Sequence, residues 1–174
     1  MDPYTHLARL TLEAYLDGRE IMKPSKDLPP EMLRLKAGVF VSLHKKKGHG
    51  LRGCIGTFLP TEKNIATEII RNAIAAATQD PRFDEVEFEE LADLEINVDV
   101  LTEPELVRDI EDLKPRQYGV IVKSRDGRSG LLLPDLEGVN TVRQQLEIAC
   151  QKGGIYPDEE FAVYRFEVER HKEE

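Results

Sequence analysis

The segment from Gly38 to Leu59 constrains the fold more than any other. Val39, Val41 and Leu43 alternate with Phe40, Ser42 and His44, the period-two pattern of a strand buried on one face. Lys45-Lys46-Lys47-Gly48-His49-Gly50 follows, with glycines able to supply positive φ. A second run, from about Leu51 to Leu59, then returns. So short a connection permits only antiparallel pairing, because parallel neighbours need a crossover of roughly a dozen residues or more. The chain therefore carries a β-hairpin, and a doubly wound parallel sheet is disfavoured.

The remaining elements are consistent with that start. Tyr4 to about Arg19 reads as a helix, with Leu7, Leu10, Ala14 and Tyr15 on one face. It ends at Gly18, and Pro24 and Pro29-Pro30 impose an extended, irregular connection. Pro60-Thr61 opens a second helix, with Thr61 as the expected N-cap. Ile65, Ile69, Ile70, Ala73, Ile74 and Ala77 give it a wide apolar face, and it stops near Gln79, ahead of Asp80-Pro81-Arg82-Phe83. Leu94 to Val100 is the cleanest strand, with Glu95, Asn97 and Asp99 on its polar face. After a linker containing Pro104, strands are expected at Tyr118–Lys123 and Leu131–Leu133, a helix from about Thr141 to Lys152 stopped by Gly153-Gly154, and a last strand from Phe161 to Val168. Interspersed helices and hairpins indicate an α+β fold with an antiparallel or mixed sheet.

A length of 174 residues fits one domain, with room for two subdomains. The 40% hydrophobic content suffices for a core, and with no tryptophan that core must rest on Leu, Ile, Val and Ala. The 33% charged content makes a charge-rich surface, compatible with a heat-loving source. A net charge of −9 argues against nucleic-acid binding, which needs a basic surface. No apolar run approaches the roughly 18 residues of a membrane span. Met1-Asp2-Pro3-Tyr4-Thr5-His6 lacks a signal-peptide layout, so a cytoplasmic location is expected. There the distant Cys54 and Cys150 would both be thiols. Cys150, beside Ala149 on an amphipathic helix, reads as core.

The richest local signal is Leu51-Arg52-Gly53-Cys54-Ile55-Gly56. On a regular strand Arg52 and Cys54 share a face. A guanidinium beside a thiol favours the thiolate, the nucleophilic form. Gly53 and Gly56 mark a bulge or a close approach of ligand or backbone. Against this stands the burial habit of cysteine, which makes a packed strand thiol an equal expectation. Gly48-His49-Gly50-Leu51-Arg52-Gly53 matches a dinucleotide fingerprint by letter, but it runs from strand to strand where that site requires strand to helix. His44 is a candidate base for Cys54 if the register brings them together: pairing 44 with 51 sets it opposite Leu51, and a shift of one residue changes that. His44, His49 and Cys54 lack a fourth ligand, and no metal site is assigned. Lys45, Lys46 and Lys47 read first as a solvated hairpin tip and second as a docking patch for an acidic partner. Asn97, with Glu95 and Asp99, could hold a ligand, a metal or the guanidinium of Arg52 or Arg82, though a solvent-facing strand looks the same and is the first reading.

These residues resemble a known family. Leu51-Arg52-Gly53-Cys54-Ile55-Gly56 is similar to the signature of the AMMECR domain family, named after a human chromosomal region linked to Alport syndrome, midface hypoplasia and elliptocytosis. Asp80-Pro81-Arg82-Phe83, the Glu95–Thr102 strand, Gly130-Leu131-Leu132-Leu133-Pro134 and Ala149-Cys150-Gln151-Lys152-Gly153-Gly154-Ile155 agree in the same order. The last stretch departs at Gly153-Gly154, where Lys-Ala-Gly-like residues are expected, which touches a helix end only. The resemblance implies a two-lobed α+β fold with a cleft beside the signature strand. It also implies an association in microbes with a Memo-like protein of dioxygenase fold and a radical-SAM protein. It assigns no reaction and no cofactor.

Two functional expectations follow. The first is a cysteine-dependent enzyme or enzyme subunit acting on a small anionic substrate. Cys54 is its thiolate and His44 its candidate base. Arg52, Arg82 and Asn97 are ligand contacts, and backbone N–H groups near Gly53 and Gly56 hold an oxyanion. The second is a non-catalytic accessory module for a partner protein or small ligand, which the scarcity of clear acid–base pairs favours.

Overall fold

A computed structural model describes residues 1–173. Asp2, not part of the expected helix, caps α1 (Pro3–Gly18), its carboxylate accepting from the N–H groups of Tyr4 and Thr5 at 2.9 and 3.1 Å. Arg19 closes the helix in the left-handed conformation, at φ 56. Leu7 is buried as expected, but Leu10 is exposed, and Ala8, Thr11 and Leu12 complete the inner face. Both stripes obey helical spacing, and packing against the rest of the chain selected one. The proline-rich connection contains a short helix, α2 (Pro30–Arg34), which the double proline had hidden: Pro30 stands in the first turn, where no N–H is needed.

The hairpin forms as β1 (Val39–Lys45) and β2 (Leu51–Thr57). α3 (Ile65–Thr78) starts later than expected. Asn64, not Thr61, is its N-cap, in a reciprocal box with Thr67. Thr61 instead serves a buried carboxylate. Its N–H and hydroxyl both donate to Glu68 at 2.8 Å, joined by the Thr57 hydroxyl and the Glu62 N–H. After α3 a 3₁₀ turn (Phe88–Asp93) leads into β3 (Leu94–Leu101).

The chain divides into two compact units, one of Met1–Val100 with the segment from Glu169 onward, the other of Leu101–Val168. In the first, the sheet order is β2-β1-β3-β8, where β8 spans Val168–Lys172. β1 is antiparallel to both β2 and β3. Val39, Val41, Leu43, Ile96 and Val98 are fully buried in one core with Leu12, Ile69 and Ala73. Each such Val, Leu or Ile side chain contributes about 1.5–3 kcal/mol by leaving water. The opposite face of β1 and β3 carries Phe40, Ser42, His44, Glu95 and Asn97, all half-buried.

The second unit has the order β4-β7-β5-β6. Its strands are β4 (Glu105–Val107), β5 (Gly119–Ser124), β6 (Ser129–Leu132) and β7 (Phe161–Phe166), all antiparallel neighbours. α4 (Val142–Lys152) is capped by Thr141 and Gln144 and packs Leu146, Ala149 and Cys150 with Val120 and Val122. Two expectations change here. The Pro104 linker contains β4, too short to show a period. The single last strand is two, since β7 belongs to the second sheet and β8 to the first.

One contact positions the edge strand. A Cβ at Gly53 would lie 2.2 Å from the carbonyl oxygen of Ala76 on α3, so β2 meets the helix backbone directly. Gly53→Ala should destabilise the protein by about 2 kcal/mol or more through forced overpacking. Gly50→Ala, in open space on the same hairpin, should cost much less. Urea unfolding midpoints of the two variants against wild type check this.

Candidate functional site

The register of the hairpin places the signature. Ser42 pairs with Cys54, Phe40 with Gly56, Leu43 with Gly53 and His44 with Leu51. The ladder skips Arg52, which is the extra residue of a bulge between Leu43 and His44. The expectation that Arg52 stands beside Cys54 on a regular strand is therefore corrected. Its guanidinium is bound by the Glu90 carboxylate through two 2.8 Å hydrogen bonds, and donates to the carbonyls of Asp84 at 2.9 Å and Glu85 at 3.4 Å. With the Arg52 side chain 11% exposed, this is a structural clamp between β2 and the segment before β3. Arg52 holds the Glu90 carboxyl below its ordinary range, and burial opposes that effect.

The cation near Cys54 is Arg82, and the link is Asp80. The Asp80 side chain is 3% exposed. It accepts from the Cys54 N–H at 2.9 Å, the Arg82 N–H at 3.1 Å, and Arg82 Nε and Nη2 at 3.0 and 2.8 Å. The Arg82 guanidinium holds the Asp80 carboxyl well below the usual carboxylate range. Burial opposes this, and the two backbone N–H groups reinforce it. Arg82 itself is raised by Asp80, and burial opposes this. Its side chain remains 57% exposed, with the guanidinium 5.5 Å over the Phe83 ring.

Because the Cys54 N–H turns to Asp80, Ser42 and Cys54 form a non-hydrogen-bonded pair, the kind whose side chains stand closest. The same alternation sends the Gly56 N–H to the outer edge of β2 and the Gly53 N–H inward to β1. Of the two expected oxyanion donors, only Gly56 faces outward. Both glycines have packing reasons too: Gly53 meets α3, and a Cβ at Gly56 would lie 2.3 Å from the Phe40 ring.

His44 sits opposite Leu51 and Glu95, as pairing 44 with 51 requires, and not opposite Cys54. Its Nε2 is 3.2 Å from Ser42 Oγ and its Nδ1 3.4 Å from the His49 carbonyl oxygen. Asn97 pairs with Ser42 from the other side. The stripe on β3 thus divides: Asn97 lies in the Cys54–Ser42 row, Asp99 binds Arg170 at 2.8 Å, and Glu95 lies 3.9 Å from His49. Ser42 and Asp80 stand in the β1 alternation and in the Asp80-Pro81-Arg82-Phe83 stretch, but neither was assigned a role at the site from sequence. Ser42 could have been found from its place in the β1 alternation, Asp80 only from the fold. Cys150 is 7% exposed, and burial and then Glu159 push its thiol up. No helix among the described residues is long and apolar enough to cross a membrane.

Comparison with known proteins agrees over nearly the whole chain. The family model described as AMMECR1 matches residues 5–171. A Thermotoga maritima protein is 52% identical, the match covering 98% of this chain and 97% of that one. A Clostridium acetobutylicum protein is 53% identical over 99% of this chain but only 36% of its own length. The crystal structure of an uncharacterised protein from Pyrococcus horikoshii superposes with a TM-score of 0.91 at 37% identity, covering 98% of this chain and 90% of that one.

A carboxyl whose folded pKa is depressed stabilises the fold above its unfolded value of about 4, and that contribution fades as the pH falls. Asp80→Asn should therefore cost about 2 kcal/mol at pH 7, the scale of hydrogen bonds to a charged group. The gap between variant and wild type should narrow below about pH 4. Urea melts at pH 7 and pH 3 measure it.

Proposed function

This chain belongs to the AMMECR1 family, and we propose that it is a cysteine-dependent enzyme or enzyme subunit that acts on a small anionic substrate. The observation that carries this reading is the Asp80 hub, one buried carboxylate that holds both the backbone of Cys54 and the guanidinium of Arg82. A fixed cation near a thiol favours its thiolate. Arg82 takes the part first given to Arg52. With Asp80 occupying one edge of its fork, the exposed remainder suits an anionic group on a substrate. In this reading Cys54 Sγ attacks an electrophilic centre, and the outward Gly56 N–H receives the charge that develops there. Asn97 and Ser42 border the reacting atoms from β3 and β1.

Iodoacetamide labelling followed by mass spectrometry across a pH series tests it. Cys54 should label in the native protein with a midpoint below the free-thiol value of about 8.5. Cys150 should resist until higher pH or unfolding. Arg82→Ala should move the Cys54 midpoint upward. Labelling of Cys54 only on unfolding would reduce the signature to packing.

A second reading is favoured by one observation. In the Clostridium relative the matched region is 36% of the chain, so there the domain is joined to a greater length of other sequence. A domain so joined suits work alongside a partner, and the family resemblance suggests the Memo-like and radical-SAM proteins. Under this reading the tagged chain should co-purify with one of them at stoichiometric yield. Separate elution of all three at micromolar concentration would count against it.

A further inference from the structure

His44 and Cys54 are not register partners, yet both have Ser42 as a neighbour. Ser42 is directly across β1–β2 from Cys54, in the close, non-hydrogen-bonded kind of pair. It is also two residues from His44 on the same face of β1, with Oγ 3.2 Å from His44 Nε2. The other ring nitrogen, Nδ1, faces the His49 carbonyl oxygen at 3.4 Å. That oxygen can only accept. In the tautomer that makes this contact a hydrogen bond, Nδ1 carries the proton and Nε2 accepts from the Ser42 hydroxyl. The turn residue His49, held at φ 51, presents its backbone carbonyl to that tautomer of His44. A base oriented by a third group and bonded to a hydroxyl is the arrangement that activates nucleophiles.

We propose that Ser42 relays the proton of Cys54 to His44. This rests on the cysteine reading above and supplies the base that reading lacks. The step balances. The Cys54 Sγ–H proton passes to Ser42 Oγ, and the Ser42 hydroxyl proton passes to His44 Nε2. A thiolate, an unchanged serine and an imidazolium result. The imidazolium keeps its Nδ1–H on the His49 carbonyl. The reverse transfer delivers the proton to a leaving group. Other charges face the pair. Asp80 and Arg82 approach Cys54 from the segment after α3. Glu95 stands across from His44 on β3 and suits an imidazolium, while lying 3.9 Å from His49. Farther along the face, Asp99 is neutralised by Arg170 of β8. Ser42 is a positioning and relay residue in this scheme, and Cys54 remains the reacting group.

The test compares iodoacetamide rates at Cys54 from pH 5 to 9 in wild type, Ser42→Ala, Ser42→Thr, His44→Gln and the Ser42→Ala/His44→Gln double variant. Alkylation follows the thiolate fraction, so loss of the relay should slow Cys54 about tenfold near neutral pH. Ser42→Ala and His44→Gln should each show that loss, and the double variant should be no slower than either. Ser42→Thr keeps a hydroxyl on a strand and should restore most of the rate. Nitrogen-15 spectra of the His44 ring read the other half of the relay without reference to reactivity, and Ser42→Ala should shift the Nε2 resonance. A wild-type Cys54 that reacts readily while Ser42→Ala matches it within twofold overturns the relay alone, as do additive losses in the double variant or an unmoved Nε2 resonance. A Cys54 inert until unfolding overturns the relay together with the cysteine reading.

Discussion

The close approach of β2 to α3 is the constraint on which the site depends. Only a residue without a side chain fits at Gly53, where the strand meets the Ala76 carbonyl. That contact sets how near the hairpin edge lies to the end of α3, and so to Asp80, two residues past it. The edge N–H of Cys54 then finds a buried carboxylate in place of water. An exposed edge strand otherwise presents unpaired donors that invite pairing with other chains. Asp80 at the Cys54 N–H and Glu90 at the bulge residue Arg52 close this edge with charge.

The two arginines near the signature separate into structure and chemistry by their surroundings. Arg52 meets a carboxylate fork and two carbonyls while almost buried, so removing it would leave Glu90 without its main partner. Arg82 shares its carboxylate with a backbone N–H and keeps much of its surface in water. Both cations help hold β2, but only Arg82 remains open to a ligand. The same division applies to the glycines. Gly53 is given over to packing. Gly56 combines a packing role under Phe40 with an N–H on the open edge.

The polar face of the first sheet has a comparable logic. The neighbouring strands β2, β1 and β3 place Cys54, Ser42 and Asn97 in one row, and His44 with Glu95 in the next occupied row. None of these is fully buried, whereas the residues between them on β1 and β3 are core. One face is therefore committed to stability, which frees the other for residues whose chemistry needs access.

Much of this was legible in the residues. Period-two alternation and a short glycine-bearing turn dictated the β1–β2 hairpin, because connection length permits no other pairing. The apolar stripe of α3, the extent of α4 from about Thr141 and the burial of Cys150 follow from local spacing. Pairing 44 with 51 was one register the sequence allowed, and a shift of one residue would have changed it; the structure decides for His44 opposite Leu51. The bulge at Arg52 was not legible, since it reflects a clamp from Glu90, 38 residues away. Nor was the division of the last strand between two sheets, or the choice of Asn64 over Thr61 as a cap while Thr61 serves Glu68. Sequence by itself determined which residues could act, through their type and their period. Tertiary structure alone decided which cation stands near Cys54, because that choice rests on where Asp80 and Glu90 are carried by the packing of α3 against the sheet.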